Sequence, residues 1–210
     1  MAEKKEKKSF SETRVYPIIF MIIVALFFGS ILAVFYHSTT ERIQEQRELR
    51  LRSAILALFD LPLDDIQESY ERYIIEQETA QLFYYIAQAD TLTLGYCFPI
   101  SGTGLWGGIS ALLAVNNDFN EIIAFHILDQ NETPGLGGRI TEESFQNQFA
   151  DKEFIIENRI IEFRLVSENE PTERREVNQI TGATASSQAV VSMIYRNLRQ
   201  ISQLLEISYE

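Results

Sequence analysis

One cysteine, two histidines and one tryptophan in 210 residues restrict the chemistry open to this chain before any motif is read. Cys97 alone cannot form an intrachain disulfide, and neither a four-cysteine iron–sulfur site nor a Cys₂His₂ zinc site can be assembled. It lies in TLTLGYCFPI, an apolar, strand-like run that suits a small packed hydrophobe. His37 follows a long apolar stretch and His126 lies in IIAFHILD, neither with a second histidine at metal-ligand spacing. No Ser-His-Asp set and no acid/base pair arranged for hydrolysis stand out. Any redox chemistry must therefore come from a bound cofactor. Basic residues are also scarce, 18 against 30 acidic ones for a formal charge of -12, so nucleic acid is not an expected partner. No internal repeat is visible, and the only low-complexity stretch is the lysine-rich N-terminus.

What the chain does have is an uncharged run from Val15 to Tyr36, VYPIIFMIIVALFFGSILAVFY, about long enough to cross ~30 Å of hydrocarbon as a helix. It exceeds a usual signal-peptide core, and AVFYHSTT offers no good small-x-small cleavage site, so an uncleaved anchor is the reading preferred over a signal peptide. Lys4, Lys5, Lys7, Lys8 and Arg14 precede the run, while the segment after it is mixed in sign. The positive-inside rule then predicts a single-pass protein of the cytoplasmic (inner) membrane. Its N-terminus is expected in the cytoplasm and its soluble part on the extracytoplasmic side. The expected organisation is a cytoplasmic N-terminus (1–14), a transmembrane helix (15–36), a helical stalk with packing helices (37–80) and one soluble domain (81–210).

Beyond the anchor, STTERIQEQRELRLRSAILALFDLP has apolar residues at helical spacing, with Ser38 or Thr39 either capping a new helix or continuing the first. Leu51, Ile55, Leu56 and Phe59 share a face. Pro62 and Asp64-Asp65 end that helix, and a second is expected around IQESYERYIIEQE. From Gln81 the pattern turns to β: QLFYYIAQ, TLTLGYCFPI, ISALLAVNN and EIIAFHILD predict an antiparallel sheet. EESFQNQFA reads as a short helix, EFIIENRIIEFRLV as strand, and 167–176 as a polar loop. A last helix from Thr184 to about Leu205 carries Val190, Val191, Ile194, Leu198, Ile201 and Leu205 on one side and must pack on the sheet. The fold class is α+β.

Three glycine- or hydroxyl-rich motifs stand out. SGTGLWGG, residues 101–108, falls between two predicted strands and reads either as a tight hairpin or as a binding loop of Gly104, Leu105 and Trp106. Trp106 favours binding, as a cover for an aromatic ligand or as a contact to a partner. NETPGLGGR, residues 131–139, must turn at Pro134-Gly135; Glu132 and Thr133 can hydrogen-bond a ligand's polar edge, Leu136 can pack on its ring, and Arg139 is either a phosphate partner or an exposed charge. TGATASS, residues 181–187, opens the last helix. Thr181 and Gly182 form a turn, Ala183 and Ala185 are small, and Thr184, Ser186 and Ser187 cluster where backbone N–H groups lack partners. These hydroxyls either cap the helix or, with its positive dipole end, hold or carry a phosphate.

The anchor and the three motifs, in this order, resemble the FMN-binding subunit family shared by two ion-pumping complexes. Its members are the G subunit of the Rnf ferredoxin:NAD oxidoreductase and the C subunit of the sodium-translocating NADH:quinone oxidoreductase. The resemblance implies that residues 81–210 form an FMN-binding domain. It further implies that a flavin transferase using FAD and a divalent metal joins FMN through its phosphate to the last position of an S/T-G-A-T-x-T/S motif, here Ser186. The family more often has Thr at that position, and an Asp commonly found upstream corresponds to Asn178. On this reading the chain is a membrane-anchored electron-transfer flavoprotein subunit with other subunits of a membrane redox complex as partners, and the Rnf type is favoured. A non-redox extracytoplasmic ligand-binding or assembly module and a stand-alone flavoprotein are the alternatives.

Overall fold

A computed structural model describes residues 16–206 apart from 158, 169 and 171, and leaves the side chain of Glu41 undescribed. The basic N-terminal segment, Val15 and the last four residues lie outside the described residues. Helix α1 spans Tyr16–Leu58. Its apolar first part is long and hydrophobic enough to cross a membrane by length and composition, with a mean hydropathy of 3.0 and large exposed side chains such as Met21, Leu32 and Phe35. Pro17 is tolerated because it sits in the first turn, where its missing N–H would have no helical partner. Ser38, Thr39 and Thr40 do not begin a new helix. Each hydroxyl donates back to a carbonyl of the preceding turn, Ser38 and Thr39 to Phe35 O (3.1 and 2.6 Å) and Thr40 to Tyr36 O (2.6 Å). A hydroxyl used in this way leaves the helix unbroken.

Residues from Arg50 onward form one compact unit. Helix α2, Ile66–Tyr73, is capped by Asp65, whose carboxylate accepts from Glu68 N. The helix expected to run through IIEQE stops at Tyr73. Ile74–Glu78 is instead strand β1, pairing antiparallel with β2, Phe83–Ala89, with Ile74 opposite Ala87. The β-branched pair Ile74-Ile75 favours a strand once a sheet edge is there to receive it, a tertiary circumstance that the helical spacing of IQESYERY concealed.

Strands β3 (Leu92–Thr103), β4 (Gly108–Val115), β5 (Glu121–Gln130) and β6 (Lys152–Glu153) complete a six-stranded antiparallel sheet in sequential order β1 to β6. The EESFQNQFA segment folds as helix α3, Glu143–Gln146, followed by a 3₁₀ turn over Asn147–Phe149. The stretch after it, expected to have strand character, forms short pieces: β6, the antiparallel pair β7 (Ile155–Ile156) and β8 (Arg159–Ile160), and β9 (Arg164–Val166). Strand β9 lies parallel to β10, Glu176–Asn178.

Central strand β4 is covered on both faces, which explains its near-continuous hydrophobicity. Ile109, Ala111, Leu113 and Val115 join the core under helix α4, Thr184–Leu204, with Val190, Val191, Met193, Ile194 and Leu198. Leu112 and Ala114 face the opposite core with Ile55, Leu56 and Leu58 from the end of α1. Each buried valine, leucine, isoleucine or methionine among them contributes roughly 1.5–3 kcal/mol. Cys97 belongs to this second core, fully buried, and burial pushes its thiol well above the ordinary range. It is a packing residue.

Candidate functional site

The sheet and α4 bring all three motifs to one place. The first motif is indeed a hairpin: β3 and β4 pair through Thr103 and Gly108, and Gly104 N donates to Gly107 O (2.7 Å) to close the four-residue loop. That loop also holds a carboxylate. Leu105 N and Trp106 N donate to Glu132 Oε1 at 2.7 and 3.1 Å. The hairpin reading of this segment holds, and two of its backbone N–H groups are taken by a carboxylate of the chain itself.

Glu132 comes from the second motif, at the end of β5, and is only 5% exposed. Its other oxygen, Oε2, accepts from Ser186 Oγ of the third motif at 2.7 Å. Residues 54 apart in sequence thus share one buried hydrogen bond. Two glycines make this approach possible. A Cβ on Gly104 would lie 2.2 Å from Glu132 Oε1, and one on Gly137 would lie 2.5 Å from Ser186 Oγ and 2.7 Å from Glu132 Oε2. No side chain fits at either point.

Around this buried pair the second loop turns through Gly135 at φ +74°, and the Thr133 carbonyl accepts from Leu136 N and Gly138 N (3.2 and 2.9 Å). Thr133 therefore acts through its backbone as a turn-former. Leu105, Trp106 and Leu136 remain exposed, Trp106 at 71%. A Cβ on Gly182, which lies at φ +80°, would meet Leu136 Cδ2 at 3.5 Å.

The hydroxyls of TGATASS make different contacts. Ser187, fully buried, donates to Ala183 O and accepts from Ile180 N, both at 3.1 Å, and so locks the turn that leads into α4. Ala183 is the N-cap residue and makes no side-chain capping bond, while Thr184 is the first helical residue. Ser186 instead turns inward to Glu132 and is 1% exposed. The helix start thus offers backbone N–H groups and dipole without a side-chain cap, an arrangement suited to an anion.

Sequence reasoning missed how this end is braced. Thr181 N donates to Glu168 Oε2 (2.8 Å), and Arg139 Nη2 meets Glu168 Oε1 (3.2 Å), so a residue of the polar 167–176 loop ties the second and third motifs together. Arg139 also pairs with Glu142 at 3.1 Å, which engages it with carboxylates. The Thr181 hydrogen bonds, then Arg139, hold the Glu168 carboxyl below its usual range. Asn178 is likewise structural: its amide donates to Ser167 O (2.8 Å) and Glu170 O (2.9 Å), fastening the same loop. A carboxylate at that position has no proton to give either carbonyl. No sequence signal marked Glu168; Gly137 was visible as a glycine of GLGG, but not what it made room for. His126 lies exposed on β5, and no group of three metal-ligating side chains occurs among the described residues.

The donor set fits a flavin phosphate. The start of α4 presents backbone N–H groups without a side-chain cap, and the loops of the first two motifs carry exposed apolar side chains beside polar backbone. Comparison with known proteins agrees. The FMN-binding domain family matches residues 104–199, a span that includes parts of all three motifs. The G subunit of the proton-translocating ferredoxin:NAD(+) oxidoreductase complex of Clostridium ljungdahlii is 32% identical over 119 residues, covering 57% of this chain and 60% of that one. The G subunit of an ion-translocating oxidoreductase complex of Methanosarcina acetivorans is 25% identical over 186 residues, 88% and 93% of the two chains. The crystal structure of the C subunit of the Na(+)-translocating NADH-quinone reductase of Parabacteroides distasonis shares the fold, with a TM-score of 0.66 at 23% identity, covering 80% of this chain and 97% of that one.

Proposed function

We propose, from the premise that residues 104–199 place this chain in the FMN-binding domain family, that it is a membrane-anchored electron-transfer subunit of an Rnf-type ion-translocating oxidoreductase, with FMN joined through its phosphate to Ser186. The observation that carries the covalent reading is the division of labour at the start of α4. Ser187 is committed to the turn by two hydrogen bonds, whereas Ser186 Oγ is held by a carboxylate where the three motifs meet. The chain matches 93% of the length of the Methanosarcina G subunit and 48% of that of a curated Na(+)-translocating NADH-quinone reductase C subunit, which favours an assembly of the G-subunit type.

In this reading the backbone at Thr184 to Ser186 receives the phosphate, and Leu105, Trp106 and Leu136 line the approach to the isoalloxazine ring. FMN, when bound, supplies the electron-carrying chemistry, and the protein sets its position and surroundings. Attachment suits a soluble domain on the extracytoplasmic side, because a tether abolishes loss of cofactor by dilution. The apolar part of α1 holds the chain in the cytoplasmic membrane, the lysine-rich segment keeps the N-terminus in the cytoplasm, and a flavin transferase acts as the maturation partner.

The test is the denatured mass of the full chain purified from its native membrane, or coexpressed with a flavin transferase, with mapping of any modified peptide. The expected result is an added FMN less water on the peptide containing Ser186. Ser186→Ala loses it with the protein still folded and membrane-bound, and Ser187→Ala keeps it while losing about 1–3 kcal/mol of stability for its two buried hydrogen bonds. An unmodified mass, with the transferase active on a control substrate, rejects covalent attachment and leaves a non-redox binding or assembly module in front.

A further inference from the structure

We propose that Glu132 is the proton acceptor for the Ser186 hydroxyl during flavin attachment, so that this protein supplies part of the catalysis of its own modification. The inference rests on the covalent reading above. It starts from the geometry of one carboxylate whose two oxygens have separate tasks. Oε1 is fixed by two backbone N–H groups, Leu105 and Trp106, and Oε2 is left with the Ser186 hydroxyl at 2.7 Å. A serine hydroxyl is a weak nucleophile until a base within hydrogen-bond reach takes its proton. Here the base is aligned by two backbone N–H groups, and Gly104 and Gly137 leave the space that lets it approach the serine.

In the attachment step the Ser186 Oγ–P bond forms at the flavin-side phosphorus of FAD. The bridging P–O bond of the diphosphate breaks, AMP leaves with that electron pair, and the hydroxyl proton passes to Glu132 Oε2. No redox change occurs. A protonated Glu132 then faces the new phosphodiester and can donate to it, which spares the site two adjacent anions. The buried carboxylate thus serves the acceptor atom.

Glu132→Gln separates this role from a structural one. The amide oxygen can keep the bonds from Leu105 N and Trp106 N, which turns the NH₂ toward Ser186 and removes the proton acceptor at nearly constant volume. The measurement is the initial rate of FMN incorporation into the full-length protein, with transferase, FAD and magnesium, followed by intact mass at several concentrations of the acceptor protein. The expected result for the Gln variant is kcat lowered about 100-fold or more, in line with general base catalysis, and KM for the acceptor protein unchanged.

A Gln variant modified at the wild-type rate, or one changed only in KM, overturns the proposal. Glu132→Asp is the second variant and keeps a carboxylate. A kcat above that of the amide supports proton transfer, and one no better than the amide overturns it. Should the Gln protein fail to fold, a lowered kcat with unchanged KM in the Asp protein supports the role, and an unchanged kcat overturns the need for fixed geometry on which it rests. Wild-type protein left unmodified at Ser186 sinks the covalent reading itself, whereas modified wild type with an equally modified Gln variant sinks only the role of Glu132.

Discussion

Gly137→Ala is the sharpest test of the site because two physical effects predict opposite signs for it. Gly137 begins the 3₁₀ segment Gly137–Thr141, and its φ lies outside the left-handed region. An alanine at such a position ordinarily stabilises a protein by about 0.4–1 kcal/mol by restricting the unfolded chain. In this structure the new methyl would sit 2.5 Å from Ser186 Oγ and 2.7 Å from Glu132 Oε2, closer than real contacts allow. Ser186 can rotate away, but only by giving up its hydrogen bond to the carboxylate, a loss of about 1.5–3 kcal/mol for a charged acceptor. Glu132 is pinned through Oε1, so the remaining overlap costs a further ~1–3 kcal/mol as overpacking. After subtraction of the entropic gain, the expected net effect is a destabilisation of about 2–5 kcal/mol. The assay is equilibrium denaturation of the full-length protein in detergent, with Gly108→Ala as control because a Cβ there meets nothing within 4 Å. A Gly137→Ala protein as stable as wild type, or more so, would refute the close-packed arrangement of the three motifs. On the proposed covalent attachment, the same variant should accept FMN far more slowly, since the methyl displaces the Ser186 oxygen proposed as acceptor.

Two further expectations follow from the brace around the start of α4. Asn178→Asp should destabilise the protein by about 1–2 kcal/mol, because two amide donors to Ser167 O and Glu170 O are exchanged for an oxygen facing carbonyls; thermal unfolding checks this, and an unchanged midpoint would contradict it. Glu168 gives a pH signature. Its carboxyl is held below the ordinary value of 4.5, first by Thr181 and then by Arg139. Its contribution to stability is therefore complete above that value and is lost as pH falls through the lower folded-state value. Denaturation midpoints from pH 7 to pH 3 should fall less steeply in Glu168→Gln than in wild type, and parallel curves would show that the brace has no such linkage.

The sequence by itself determined the elements whose local pattern and tertiary environment agree. Alternating β-branched and aromatic residues marked strands β2 to β5, and Val190, Val191, Ile194, Leu198 and Ile201 marked the buried face of α4. The turn residues of SGTGLWGG and NETPGLGG fixed where the chain reverses, and the motif order pointed to a flavin and to Ser186. Ile74–Glu78 was misread because an edge strand depends on a neighbour supplied by other residues. The broken ladder from Lys152 to Val166 escaped for the same reason. At the site, sequence could name Glu132, Ser186, Ser187 and Arg139 but not sort their tasks. Hydrogen bonding at 2.7 Å between residues 54 positions apart is a property of how β5 and α4 are packed. Only the tertiary structure decided that Ser187 locks the turn, that Arg139 serves Glu168, and that Glu132 faces the serine. Local spacing fixes which way a side chain leaves its own element, and packing alone fixes what it meets.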